Sequence, residues 1–258
     1  MDIVTWNCNS LTARRTFVEA FLDAEPPDVL VLQELKLETD KVPRELFTSR
    51  GYEVAVHGQK SWNGVLIASR RGLADVSMGL PAADEGQSRF IAATVDGVRI
   101  VNVYCPQGQS ADSDKFQYKL AFYDALIARV ALEMEGGAPF VLLGDLNIAP
   151  EAGDLWDPVA FAGVPSFHPL EHQRFGRLRQ LGLVDLVKPH IPPNTYSFWD
   201  YRGAAFRFNQ GMRIDHILGN APVAGRVEKA WIGRDWRKKR DDLTPSDHAP
   251  VGVRLRGP

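Results

Sequence analysis

The sequence predicts an α/β fold, a four-layer α/β sandwich in which two packed β-sheets are flanked by helices. Three observations carry that expectation: short apolar, β-branched runs recur along the whole chain, helical patterns lie between some of them, and the two halves open alike. The runs are residues 3–6, 29–32, 65–68, 90–95, 99–104, 140–143, 214–218 and 251–255, each of strand length. The clearest helix covers 116–135, where Phe122, Ala125, Leu126, Val130 and Leu132 form one face and Gly136-Gly137 ends it. A weaker one covers 13–23 and is closed by Pro26-Pro27. Each half begins with a strand ending in an asparagine motif, Trp6-Asn7 and then Gly144-Asp145-Leu146-Asn147.

With 258 residues and 45% hydrophobic composition the chain can bury a substantial core. Neither a Pro/Ser-rich linker nor a low-complexity tract interrupts the alternation, so 1–258 is expected to be a single domain. A formal net charge of −2 argues against coating a polyanion by bulk attraction; nucleic-acid contact would need local basic patches or a bound cation. Two cysteines, Cys8 and Cys105, make no disulfide framework and read as buried strand thiols. No apolar stretch approaches bilayer length and no leader-like pattern precedes residue 3, so the expectation is a soluble, cytoplasmic protein without membrane contact.

Polar residues cluster at strand ends. Asn7 and Asn9 follow the first run, Gln33-Glu34 ends the second, Tyr104 ends 99–104, Asp145 and Asn147 end 140–143, and Asp247-His248 precedes the last run, while Asp215 sits within 214–218. Any one of these alone reads as a turn former or cap. Jointly, strand ends of stacked sheets can converge on one rim. Glu34, Asn7 and Asp247 supply hard oxygen ligands suited to Mg²⁺, with Mn²⁺ as the alternative. A zinc cage is not expected: the histidines are scattered and no Cys pair has ligand spacing, so His57, His168, His172, His190 and His216 read as surface or core residues. Asp215 and His248 suit a carboxylate–imidazole pair, and Ser246 after Pro245 reads as a turn hydroxyl, since no Gly-x-Ser-x-Gly elbow occurs. The nucleophile is then water, oriented or deprotonated by Asp145, with Asn147 and His248 donating to phosphate oxygens and Tyr104 doing the same or carrying phenolate character near the metal. No Gly-x-x-x-x-Gly-Lys loop is present, which argues against a nucleoside triphosphatase.

Taken together these segments resemble the exonuclease III family of abasic-site endonucleases, within the wider endonuclease/exonuclease/phosphatase superfamily. The likeness covers essentially the whole chain, through Trp6-Asn7-Cys8-Asn9, Leu32-Gln33-Glu34-Leu35-Lys36, His57-Gly58-Gln59-Lys60, Tyr104-Cys105-Pro106-Gln107-Gly108, Gly144-Asp145-Leu146-Asn147, Trp199-Asp200-Tyr201-Arg202, Arg213-Ile214-Asp215 and Ser246-Asp247-His248. It implies a metal-dependent hydrolase acting on duplex DNA at abasic sites and 3′ ends: an AP endonuclease with 3′-5′ exonuclease and 3′ phosphodiesterase activity, working as a monomer. It also implies that Glu34 is a metal ligand, Asp145 handles the water, Asp215 and His248 form the dyad, and Asn7, Tyr104 and Asn147 contact the scissile phosphate. Ser10, Leu35 and Thr12 depart from the residues usual in relatives, Ser10 standing where Gly is common.

Phosphate contacts are expected from Lys60, Arg89, Lys115, Lys119 and the basic stretch 234–240, with Trp236 and Arg237 at its centre, and Gln107 and Arg202 join them as DNA-binding residues. By resemblance Phe198, Met212 and Ile214 line a slot for the abasic sugar, with Trp199 behind them as a core residue. The alternative reading is a superfamily phosphatase or phosphodiesterase acting on a small-molecule or lipid phosphoester; a non-catalytic DNA-binding relative ranks last, because every proposed catalytic side chain is present.

Overall fold

The computed structural model describes residues 1–81, 83, 86–240 and 242–257, so the expected span of 1–258 includes five positions outside the described residues. The strands are β1 (Asp2–Asn7), β2 (Val29–Gln33), β3 (Glu53–His57), β4 (Val65–Ser69), β5 (Ala74–Met78), β6 (Phe90–Val95), β7 (Val98–Tyr104), β8 (Phe140–Asp145), β9 (Val184–Asp185), β10 (Asp215–Gly219), β11 (Val227–Ile232) and β12 (Val251–Leu255). The α-helices are α1 (Arg15–Ala24), α2 (Glu45–Thr48), α3 (Asp114–Glu133), α4 (Pro169–Gln180) and α5 (Ala221–Ala224). One six-stranded sheet runs β11-β12-β1-β2-β4-β3 and the other β5-β6-β7-β8-β10-β9.

Alternation along the strands explains the layering, because successive side chains face opposite sides of a sheet. Ile3, Val29, Val31, Val65 and Ile67 from the first sheet meet Ile91, Ala93, Ile100, Val141, Leu143 and Ile217 from the second in one central cluster. The intervening residues point outward. Val4, Trp6, Leu30 and Leu32 pack on Phe17, Val18, Phe21 and Leu22 of α1, and Ala92, Val101, Val103 and Leu142 pack on Phe122, Tyr123, Leu126 and Val130 of α3 and Phe175 and Leu178 of α4. The result is the expected four-layer α/β sandwich. One polar clip crosses the central layer: the Asn102 amide donates to the carbonyls of Leu32 and Leu66 at 3.0 and 2.9 Å, and Gln33 donates to Asn102 at 2.7 Å.

Each sheet has a parallel pair at its centre, β1 with β2 and β7 with β8. Those four strands end at the same rim as the starts of β10 and β12, which run antiparallel to their neighbours. Four strands escaped the sequence reading: β3, β5, β9 and β11. All lie at sheet edges, where an exposed face lets residues such as Ala74, Asp75, Glu228 and Lys229 stand in a strand without an apolar signature. Helix α4 was also missed; its buried face is only Glu171, Phe175 and Leu178. It begins instead with a capping box between His168 and Glu171 and a proline in its first turn.

Candidate active site

The rim is built by register. Tyr104, Asp145 and Asp215 stand side by side on β7, β8 and β10, and Asn7 is paired with Gln33 on β1 and β2. Immediately past the strands the backbone turns through left-handed residues, Asn9, Ser10, Glu34, Lys36 and Asn147, with φ of 45, 85, 54, 54 and 50°. These turns swing Glu34 and Asn147 across the gap between the sheets. The departure at Ser10 leaves the turn intact, since its N–H still donates to the Glu34 carbonyl at 2.7 Å. Its side chain accepts only a long 3.4 Å contact from the Ala13 N–H. Ser10→Gly is therefore expected to raise stability by about 0.5–1 kcal/mol, as relief of the left-handed conformation exceeds the added unfolded-state entropy. A lower denaturation midpoint for that variant would refute the strain.

At the centre, His248 Nδ1 lies 2.8 Å from Asp215 Oδ2, and its Nε2 lies 3.8 Å from Asp145 Oδ2. Ser197, which no sequence motif marked, donates to the same Asp215 oxygen at 2.6 Å and receives the Asp215 N–H at 3.2 Å. Ser246 braces the chain, donating to the Asn7 carbonyl at 2.6 Å and accepting from the His248 N–H at 3.2 Å. Burial works against a charged His248, but the Asp215 and Asp145 carboxylates outweigh it and push the imidazolium up to about 10. Burial likewise pushes Asp145 up to about 7; His248 pulls it back while the charge on Asp215 adds to the rise. Asp145 also accepts from the Asn147 N–H and from the Asn7 amide, both at 2.9 Å.

The Asn7 amide spans two carboxylates, donating to Glu34 Oε1 as well, at 2.9 Å. Tyr104 donates to that same Glu34 oxygen at 2.8 Å. Desolvation, with Glu34 and Asp145 nearby, holds the Tyr104 phenol well above its ordinary value, so without a cation beside it the side chain is a hydroxyl donor. Glu34 keeps its charge: against the cost of burial, Lys36 and the Asn7 amide hold it below the usual carboxylate range. Lys36 lies 2.9 Å from Glu34 Oε2 and donates to Asn9 Oδ1 at 2.6 Å, and Asn9 in turn donates to Asp247 Oδ1 at 2.9 Å. Asp247 thus joins Glu34 through Lys36 and Asn9 rather than directly. Among the described residues, ligand atoms of Asp145, Asp215 and His248 also lie within 4.8 Å of one another. This concentration of hard carboxylate and amide oxygens fits a divalent cation.

A groove of about 550 Å³ leads away from Glu34 and Tyr104, walled by Arg89, Gln107, Lys115, Gln87 and Trp62. Arg89 stacks over the Tyr104 ring at 4.7 Å. Trp62, 69% exposed, was overlooked because one aromatic in a polar loop carries no periodic signal. Lys60 is exposed beside it. Three expected DNA contacts are corrected. Lys119 is fully buried in an ion pair with Glu171. Trp236 is buried against Trp6 and Phe21, with its indole N–H on Glu25 at 3.0 Å. Arg237 is 6% exposed and donates to the Trp199 carbonyl at 3.1 Å. In the stretch 234–240 these two residues anchor the loop to the scaffold, while Asp235, Lys238, Lys239 and Arg240 face solvent. Arg202 is exposed and paired with Asp200.

Phe198 and Met212 are half-buried neighbours that exchange backbone hydrogen bonds at 2.9 and 3.0 Å, with Ile214 buried behind them and Phe198 4.9 Å from the His248 ring. The expected slot residues therefore do meet beside the dyad. Trp199 is fully buried, as expected of a core residue. Of the remaining histidines, His216 is buried, its Nδ1 accepting from Arg213 and its Nε2 donating to the Ile148 carbonyl, His168 caps α4, and His190 is exposed.

Stacked sheets with a histidine and several carboxylates gathered on a shared rim define a hydrolase of phosphoesters. The chain belongs to the Endonuclease/Exonuclease/phosphatase family, which matches residues 4–248. It is 34% identical to exodeoxyribonuclease III of Haemophilus influenzae, over 99% of this chain and 100% of that one. Among solved structures it resembles a Neisseria 3′ phosphatase, NExo, bound to a product DNA hairpin, at 43% identity and a TM-score of 0.95 with both chains fully covered. An AP endonuclease from Archaeoglobus fulgidus matches at 33% identity and a TM-score of 0.92 over 99% of each chain.

Proposed function

We propose that this chain is a Mg²⁺-dependent DNA-repair phosphodiesterase that cleaves duplex DNA 5′ to abasic sites and removes nucleotides or blocking groups from 3′ ends. The observation that carries this is the joining of the Asn7 amide to Glu34 and Asp145, at 2.9 Å each, beside a His248 held on Asp215. Similarity to an exodeoxyribonuclease III, a 3′ phosphatase and an AP endonuclease supports DNA as the substrate.

In this reading Asp145 orients a water and takes its proton, and Asn147 and Asn7 donate to the phosphate oxygens. His248, protonated at neutral pH by its two carboxylate neighbours, meets the developing negative charge, while Asp215 and Ser197 fix its ring. Tyr104 donates its phenolic proton to an oxygen of the site. Glu34, with Asn7 and Asp247 as further donors, would hold Mg²⁺ or Mn²⁺, which would supply Lewis-acid compensation of the charge on the leaving oxygen. Lys60, Arg89, Gln107 and Trp62 hold the flanking strand, and Arg202 reaches outer phosphates. The chain acts as one domain, a cytoplasmic monomer; among the described residues no helix is long and apolar enough to cross a membrane.

The test is incubation of the purified protein with duplex carrying one abasic analogue, and with duplex ending in a 3′ phosphate, with Mg²⁺ or with EDTA. A nick 5′ to the lesion and loss of the 3′ block, both only with metal, are expected; undiminished cleavage in EDTA would remove Glu34 from its role. Lesion choice is tested separately. Phe198→Ala enlarges the slot beside His248 and is expected to reduce the preference for abasic over intact duplex roughly 10-fold, the scale of a few missing apolar contacts. An unchanged preference in competition assays would return Phe198 to the core.

A further inference from the structure

Helix α3 presents two polar donors to the segment that carries Asn147. Tyr123 donates to the Leu146 carbonyl at 2.5 Å, and one turn earlier Lys119 donates to the Asn147 carbonyl at 2.7 Å. The same ammonium donates to the Gln107 carbonyl at 3.2 Å and pairs with Glu171 of α4, both side chains being fully buried. Glu171 accepts in turn from the Ser166 and His168 N–H groups at 3.2 and 3.0 Å. Gly108, at φ +98°, lets the loop backbone close on the lysine stem; a Cβ there would lie 3.2 Å from Lys119 Cδ. One buried charge therefore ties together the loop after β7, the loop after β8 and the loop before α4.

We propose that Lys119, with Glu171, is a positioning residue for phosphodiester cleavage, fixing the left-handed Asn147 peptide and the Gln107 loop without touching DNA. Asn147 has few other ways to hold its place: φ is 50°, its N–H goes to Asp145 at 2.9 Å and its amide to the Cys105 carbonyl at 2.9 Å. Loss of the ammonium frees two carbonyls at the rim and lets the Asn147 amide drift from the phosphate. A displacement of tenths of an ångström in a group that stabilises charge lowers turnover more than binding.

The inference rests on the cleavage reading above, so one arm of its test is independent of that reading. Lys119→Met alone strands a buried carboxylate, so the informative variant is Lys119→Met/Glu171→Gln, which removes both charges. We expect a folded protein with kcat for abasic duplex at least 10-fold lower, KM within about threefold of wild type, and partial recovery of kcat in Lys119→Arg. In an Asn147→Ala background the same pair of changes should alter kcat by less than about threefold, since the route runs through Asn147. The Asn147 side-chain amide resonances should shift in the double variant without DNA present. Wild-type kcat in the folded double variant, an undiminished effect in the Asn147→Ala background, or a rise in KM equal to the loss in kcat/KM would each overturn the proposal. If that variant does not fold, Lys119→Gln/Glu171→Gln, which also removes both charges, carries the test: wild-type kcat together with unmoved Asn147 resonances overturns it. Absence of any cleavage by the wild type would instead defeat the cleavage reading, and the resonance arm would still stand.

Discussion

Asp145→Asn is expected to lower kcat roughly 1,000- to 10,000-fold while leaving DNA binding intact or tighter. The variant keeps the shape of the side chain and an acceptor for the Asn147 N–H, now at 2.9 Å, but it cannot accept a proton from water. Removing a negative charge beside the phosphate favours binding, so the loss falls on turnover. The same change should stabilise the fold. Asp145 is fully buried among Glu34, Asp215 and His248, and burial raises it from an ordinary 3.8 to about 7. A carboxyl whose folded value is raised favours folding when protonated, and that advantage is lost as pH rises through about 7. Asparagine avoids this loss, which begins at the ordinary 3.8 and is complete above about 7, so the gain in Tm should be full at pH 8 and smaller at pH 5. Single-turnover cleavage and differential scanning at the two pH values check both parts. A variant within tenfold of the wild-type rate would show that another group takes the proton.

Much of this rim was legible because each member closes a strand. Asn7, Tyr104, Asp145 and His248 follow or precede apolar runs, and parallel central strands in stacked sheets necessarily end together. The four-layer fold followed from the same runs and from the amphipathic pattern of α3. What could not be read was charge whose partner lies far away in sequence. Lys119 looks like any solvent-facing lysine until Glu171, 52 positions on, is brought against it by the packing of α3 on α4. The stretch 234–240 misled for a related reason: Trp236 fills a space between Trp6 and Phe21, residues from strand and helix near the other end of the chain. Ser197 illustrates the converse case. Its segment has no periodic pattern, and only the antiparallel pairing of Phe198 with Met212 carries its hydroxyl to Asp215.

Asp215→Asn tests whether the dyad works through the charge of His248. Asp215 is almost completely buried, with one oxygen shared by the His248 ring and the Ser197 hydroxyl. Asparagine fills the same space but no longer compels His248 to hold a proton, and kcat is expected to fall roughly 100- to 10,000-fold at pH 7.5. The pH profile separates this cause from simple misplacement. In the wild type the imidazolium persists up to about 10, so the rate should rise as Asp145 ionises and decline only as pH passes that upper value. With the principal raising charge gone, burial pulls the imidazole down and the alkaline limb should move to lower pH, bringing the variant closer to wild type in acid than in base. Stability follows the same sign: His248 contributes favourably below its unfolded value near 6.5, and the contribution is lost as pH rises through about 10. The Tm difference between wild type and variant should therefore be larger at pH 6 than at pH 10.5. An alkaline limb that stayed in place while kcat fell would mean that Asp215 holds the ring's orientation without setting its charge.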